Sequence, residues 1–469
     1  MWPEKIKHSL GDHAYALYPL FTIVSVVILT CRITALSHTH FWHKIPSPWS
    51  TIVSFGDSFS DSGNAAHITD GKYPSEPWYW HHRFTNGPNW IDNLILDLGG
   101  LTKIKMRNFA HGSASSDNSF LQGALLGHQI PGTHQQVRGF MLKSRQSGYP
   151  APDSTLYTMW TGANDCLALG GLDSFKPKRN FTIEDVHESI FQNILQLERE
   201  SHNKVSHVLV LTPPPVEDMP MVMNEKSPLI RPAIQRATEA MARGLPYALL
   251  EKFTTVGHTS MTNSINTGPV HPPAQLPSHR KRATSPITYF ISVDLPTAYD
   301  HTIPHEHNGT KSVWPSRQPR MMSKRDNKSA DHDRLLPEPA HGLTAANRAK
   351  AASTGAGSNK LQVMVYDAYH FIKHAEQNPE CFGLNPAMVN KTCGEQHNCY
   401  DRVWMDDSNI NTSIHYWMAR DINMRLHMWH LHTTGIDIQK AFKNGTRARE
   451  LELEMLGFIC PMRPAPTAF

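Results

Sequence analysis

Five short apolar runs recur along the chain: TIVSF (51–55), KIKMRNFA (103–110), TLYTMWTG (155–162), HVLVLT (207–212) and LQVMVYDA (361–368). Each is of strand length and runs into a loop. Between several of them lie stretches with helical periodicity. In 183–200, for example, Ile183, Val186, Ile190, Ile194 and Leu197 fall on one face, with Thr182 placed to cap the helix and Asp185 acidic in its first turn. Strands alternating with helices predict a parallel sheet covered on both faces, an α/β/α sandwich of about five strands.

Two stretches break the pattern. Residues 14–31 (AYALYPLFTIVSVVILTC) are almost wholly apolar, preceded by Lys5 and Lys7 and interrupted by Arg32. The run sits on the border between a signal peptide and an uncleaved anchor, with a buried core helix as the bland alternative. Residues 257–359 are rich in Pro, His, Ser, Thr, Lys and Arg, and only TYFISVDL (288–295) reads as a strand. Such composition buries too little apolar surface to offset chain entropy, so it is read as a mostly disordered insertion or as an artefact of the gene model. The domains expected are therefore 1–40 as a leader or anchor, 48–256 with 360–460 as the folded domain, and 257–359 between them.

Composition narrows the function classes. The 469 residues carry a net charge of only +4, too weak and too scattered for a nucleic-acid partner. The six cysteines include no C-x-x-C pair, which removes the zinc-ribbon reading, and are too few for a disulfide-knit scaffold. Cys381, Cys393 and Cys399 cluster, so two of them can pair in an oxidising lumen, with Cys166 and Cys460 as further partners. Six N-x-S/T triplets, at Asn180, Asn308, Asn327, Asn390, Asn411 and Asn444, lean the same way. The expected location is outside the cell, secreted or membrane-anchored, with membrane contact only if the N-terminal segment stays attached. A monomer is expected.

Three blocks follow predicted strands and carry the chemistry. Phe55-Gly56-Asp57-Ser58-Phe59-Ser60-Asp61-Ser62-Gly63-Asn64 runs a strand straight into a serine, where an α/β fold exposes groups at the carboxyl edge of its sheet. Asn108-Phe109-Ala110-His111-Gly112-Ser113-Ala114 offers small residues that let backbone approach a ligand. Trp160-Thr161-Gly162-Ala163-Asn164-Asp165 offers an amide donor behind a glycine. In this order and spacing the blocks resemble the GDSL or SGNH hydrolase family, most closely its secreted fungal esterases. Arg83-Phe84-Thr85-Asn86-Gly87-Pro88-Asn89-Trp90, Thr212-Pro213-Pro214-Pro215 and Phe382-Gly383-Leu384 agree with it, and the resemblance covers roughly 50–256 and 360–435. It implies Ser58 as nucleophile. It also implies an oxyanion hole made of the Ser58 and Gly112 backbone N–H groups and the Asn164 side chain, and acyl transfer through acyl-Ser58 without a cofactor.

The fourth block departs from the family. Asp-x-x-His is expected near the C-terminus, and the matching stretch reads Trp404-Met405-Asp406-Asp407-Ser408-Asn409. Asp406 fits the orienting carboxylate, but Asn409 holds the place of the base. His415 is the nearest substitute, although it also lies on a helical stripe with Met418, Ile422, Leu426 and Trp429. His111, beside Gly112, is a second. Trp78, Tyr79 and Trp80 are candidates for stacking on a sugar. His301, His305 and His307 have metal-ligand spacing but sit in the low-order stretch, so no metal is expected. The expected function is hydrolysis of carboxylic esters, acetyl or short acyl, on small-molecule, carbohydrate or lipid substrates. The rivals are a base-less binding protein on the same fold, and a tethered surface protein whose working part is the insertion.

Overall fold

The computed structural model describes residues 47–151, 154–172, 175–201, 207–263, 288–294, 360–394 and 399–433. The chain divides into one unit of residues 1–295 with 360–469 and a second of residues 296–359, which lies outside the described residues. The apolar N-terminal run, the His301–His307 cluster and the triplets at Asn308, Asn327 and Asn444 also lie outside them.

All five apolar runs form strands: β1 (Thr51–Gly56), β2 (Lys105–Asn108), β3 (Thr155–Trp160), β4 (His207–Leu211) and, after β5 (His258–Asn263) and β6 (Tyr289–Asp294), β7 (Lys360–Tyr366). The sheet order is β2-β1-β3-β4-β7-β6-β5. The first five strands of that order are parallel, and β6 and β5 are added antiparallel. β1 and β3 are buried along their whole length, as strands covered on both faces must be. The fold is the expected α/β/α sandwich. Its helices include α1 (Asn64–Ile68), α2 (Trp90–Asp97), α3 (Thr133–Ser147), α4 (Ala163–Leu169), α5 (Ile183–Glu200), α6 (Ile230–Thr254), α7 (Ala368–Gln377) and α8 (Thr412–Thr433). α2 packs on α8, while α3, α5 and α6 pack in succession. Reciprocal capping boxes, Asn89 with Asp92 and Thr182 with Asp185, start α2 and α5.

Among the described residues the sheet has seven strands where about five were expected. Of the two additional ones, β6 is the TYFISVDL run already read as a strand within the low-order stretch, and β5 opens that stretch, so the sheet extends past the boundary set at residue 256. Ile291 and Val293 are buried and pair with Val363 and Leu361 of β7. They cover what would otherwise be an open edge of the parallel sheet.

Candidate active site

β1 lies between β2 and β3, all three parallel, so the loops that follow them emerge side by side at one edge. These are the loops that carry the three sequence blocks. Gly56, the last residue of β1, has φ +138°, and a Cβ there would stand 2.0 Å from the Trp160 carbonyl oxygen. Only glycine lets β1 and β3 close to this spacing where the serine turn begins. The Gln136 side chain fixes the position by accepting from Gly56 N–H at 2.8 Å and donating to its carbonyl at 2.9 Å.

Buried carboxylates and amides then tie the loops to one another. Asp61 accepts from the N–H groups of Gly63, Asn64 and Ala65, and from that of Gly112 in the second loop at 2.8 Å. Burial pushes its carboxyl up to about 6 against those hydrogen bonds. Asn108 donates to the Ser60 carbonyl and the Ser62 hydroxyl, each at 2.6 Å. From the third loop, Asp165 accepts from Ser116 N–H and Oγ, and Asn164 donates to the Ala114 carbonyl at 2.8 Å. Much of the polar content of the three blocks therefore holds loop to loop.

The loops enclose a cleft of about 290 Å³ lined by Ser58, Ser113 and Asn164, with Ser408 and Asn409 from the fourth block. Gly112 does not serve as the resemblance implied. Its N–H is engaged by Asp61, and it is glycine because a Cβ would stand 2.1 Å from the Phe84 ring. The next residue, Ser113, has φ +63° and lines the cleft. Among the described residues neither its N–H nor that of Ser58 meets an acceptor. The pair of small residues in His111-Gly112-Ser113 was the available signal, and sequence alone could not say which of them faces the ligand.

Asn409 is 3% exposed and clamps Asp406, its amide donating to Oδ1 at 3.0 Å and Oδ2 at 2.9 Å. Asp406 also accepts from the N–H groups of Ser408 and Asn409 and from the Tyr79 hydroxyl at 2.9 Å, and Tyr79 in turn meets Tyr73. The amide thus makes the bond to the carboxylate that an imidazole N–H would make, but it cannot take a proton near neutral pH. His415 does not replace it. It is wholly buried and absent from the cleft lining, and it meets Trp160 edge-on at 6.3 Å. Among the described residues neither of its ring nitrogens has a partner, and burial pushes its pKa down to about 3. Met418, Ile422, Leu426 and Trp429 are buried with it, so the stripe on α8 is core. His111 is bound to the Phe109 carbonyl at 2.7 Å and lies outside the lining, its pKa pushed down to about 4 by burial.

Residues 52–266 match the family described as GDSL-like Lipase/Acylhydrolase. The chain is 36% identical over 124 residues to a phosphatidylcholine-sterol acyltransferase of Aeromonas hydrophila, and 26% identical over 123 residues to a thermolabile hemolysin of Vibrio parahaemolyticus. Each match covers 26% of this chain, and 34% and 27% of the relatives, so the chain spans about a third or less of their length. Among solved structures it is similar to a catalytic mutant of an acetylxylan esterase of Geobacillus stearothermophilus (TM-score 0.25, 15% identity, 43% of this chain and 73% of that one). A second is a lipolytic G-D-S-L family protein of Veillonella parvula (TM-score 0.21, 12% identity, 47% and 88%).

The GDSL match ends before the fourth block, so the departure at Asn409 lies beyond it. The tryptophan candidates also move. Trp78 is 40% exposed and Trp80 lies under the Arg83 guanidinium at 5.2 Å, and neither lines the cleft. The aromatic walls are instead Phe59, Tyr73, Phe84 and Phe175, joined by Met219 and Met221. Among the described residues no group of three or more His, Cys, Asp or Glu side chains could hold a metal.

Proposed function

We propose that this chain binds carboxylic esters at Ser58 and hydrolyses them through an acyl-Ser58 intermediate, at a rate held down by Asn409. The observation that carries the reading is the meeting of Ser58, Ser113 and Asn164, far apart in sequence, in one cleft. An ester carbonyl oxygen placed there faces the N–H groups of Ser58 and Ser113 and the Asn164 amide. As Ser58 Oγ bonds to the carbonyl carbon, negative charge grows on that oxygen, and each donor stabilises it by about 3 kcal/mol. The tetrahedral intermediate expels the alcohol, and water then releases the acid from Ser58. The missing element is an acceptor for the Ser58 proton. With an amide at 409 the proton passes to water or hydroxide, and losing the base of such a triad costs on the order of 10⁶ in turnover. The cleft size and its Phe84, Met219 and Met221 walls favour acetyl or short acyl groups.

Asn409 also favours a second reading, a binding protein on the same fold with no turnover. Hydrolysis of p-nitrophenyl acetate separates the two. The first predicts slow hydrolysis lost in Ser58→Ala and raised at least about 100-fold in Asn409→His. Wild type equal to Ser58→Ala leaves only the binding protein. We further propose an extracellular or lumenal location. The Cys393–Cys399 disulfide and the exposed triplets at Asn180 and Asn390 support it.

A further inference from the structure

A small hairpin, Gly123–Leu125 paired with His128–Ile130, supplies Gly123, Ala124 and Leu125 to the cleft wall. Leu126 and Gly127 make its two-residue turn, with φ +47° and +83°. A turn with both residues at positive φ is the mirror type that strand twist favours, and its first position suits Asn, Asp or Gly. A leucine there is opposed twice, by the backbone and by water, since Leu126 is 61% exposed. Single exposed leucines are ordinary on protein surfaces. Leu126 differs in carrying backbone strain at the mouth of a site, the circumstance in which strain points to function.

The neighbouring rim is of matching character. Met223 is 41% exposed at the end of a short helix (Pro220–Met223) whose Met221 lines the cleft. Lys176 lines the cleft and is exposed. Lys178 donates to Gln122, another lining residue, at the same rim. Arg179 follows, half-exposed over the Phe120 ring and paired with Asp185 at 3.4 Å. Apolar tips beside a cationic strip complement an anionic lipid surface, where leucine enters the acyl boundary and lysine meets headgroups.

We propose that the Leu126 hairpin tip, with Met223 and the Lys176–Arg179 strip, docks the cleft mouth onto anionic lipid surfaces. The inference does not depend on turnover at Ser58. Its test is a bimane label on the full chain carrying Leu126→Cys, compared with the same label on Leu101→Cys. Leu101 is 76% exposed but lies before β2, towards the opposite edge of the sheet. The equally treated parent chain sets the background, and Cys166 is buried. With vesicles of equal parts phosphatidylglycerol and phosphatidylcholine, the label at 126 shifts to the blue. The shift weakens with added salt, with phosphatidylcholine alone and in Lys176→Glu, while the label at 101 stays unchanged. Labels that shift alike, or a label at 126 that does not shift, overturn the proposal. So does a shift at 126 produced by soluble oligosaccharide in place of vesicles. A further check uses Leu126→Asn, which relieves the turn and removes the apolar tip. It raises the melting temperature while lowering vesicle binding of the full chain, and equal binding would count against the hairpin.

Discussion

In the proposed reaction the proton on the Ser58 hydroxyl leaves as the acyl bond forms, and the groups around it decide how fast. With Asn409 clamped on Asp406, proton removal falls to solvent, so wild-type kcat/KM is expected to rise about tenfold per pH unit between pH 6 and 9. Asn409→His is expected to introduce an inflection near pH 6.5, the ordinary imidazole value. A wild-type profile that already bends there would reveal an imidazole acting on Ser58. His415 makes the opposite kind of prediction. Its pKa is pushed down to about 3 by burial, whereas the unfolded chain titrates near about 6.5. The native state therefore binds fewer protons than the unfolded state between those values, and the stability His415 contributes is complete above about 6.5 and drains as pH falls towards 3. In His415→Met the urea midpoint should fall less between pH 7 and pH 4.5 than in wild type, and parallel falls would mean that His415 charges freely in the native state. The triplet at Asn411 is closed for a plainer reason. Its side chain is buried and donates to the Cys399 carbonyl at 2.6 Å, while Asn180 and Asn390 are exposed. Peptide mapping of secreted protein should find glycan at 180 or 390 and none at 411.

Among the elements, β1 and β3 carry the site because their carboxyl ends touch at Gly56. Gly56→Ala meets the Trp160 carbonyl and a strained φ together, and should cost on the order of 3–5 kcal/mol in urea unfolding. Gly139 lies inside α3, where an added methyl group would meet nothing within 4 Å, and it should accept alanine with a gain of up to about 1 kcal/mol. The five parallel strands were legible because each is a short apolar run closed by a turn. β5 was not, since His258–Asn263 has polar residues at most positions and holds its place by pairing with β6. The division of labour within the motif loops was also hidden. Gly112 and Ser113 read alike as small residues, and only the distance to Asp61 separates the one that braces the loops from the one that faces the cleft. His415 shows the converse case, where the 3.6-residue stripe on α8 offered core as the alternative to a displaced base, and the structure places it in the core.

On the scale of the whole molecule, one cleft sits at the carboxyl edge of a sheet whose connections bring four distant segments together. That edge is predictable from a parallel α/β order, but the pairing of loops across it depends on contacts between residues far apart in the chain, such as Gly112 with Asp61. The most direct test is labelling by a fluorophosphonate, read by intact mass and peptide mapping, in wild type, Asn409→His and the double variant with Ser58→Ala. A single adduct is predicted on Ser58, forming at least about 100-fold faster in Asn409→His than in wild type and absent from the double variant. An adduct on another residue, or equal rates with and without the histidine, would contradict the placement of Ser58 and Asn409 in one catalytic cleft.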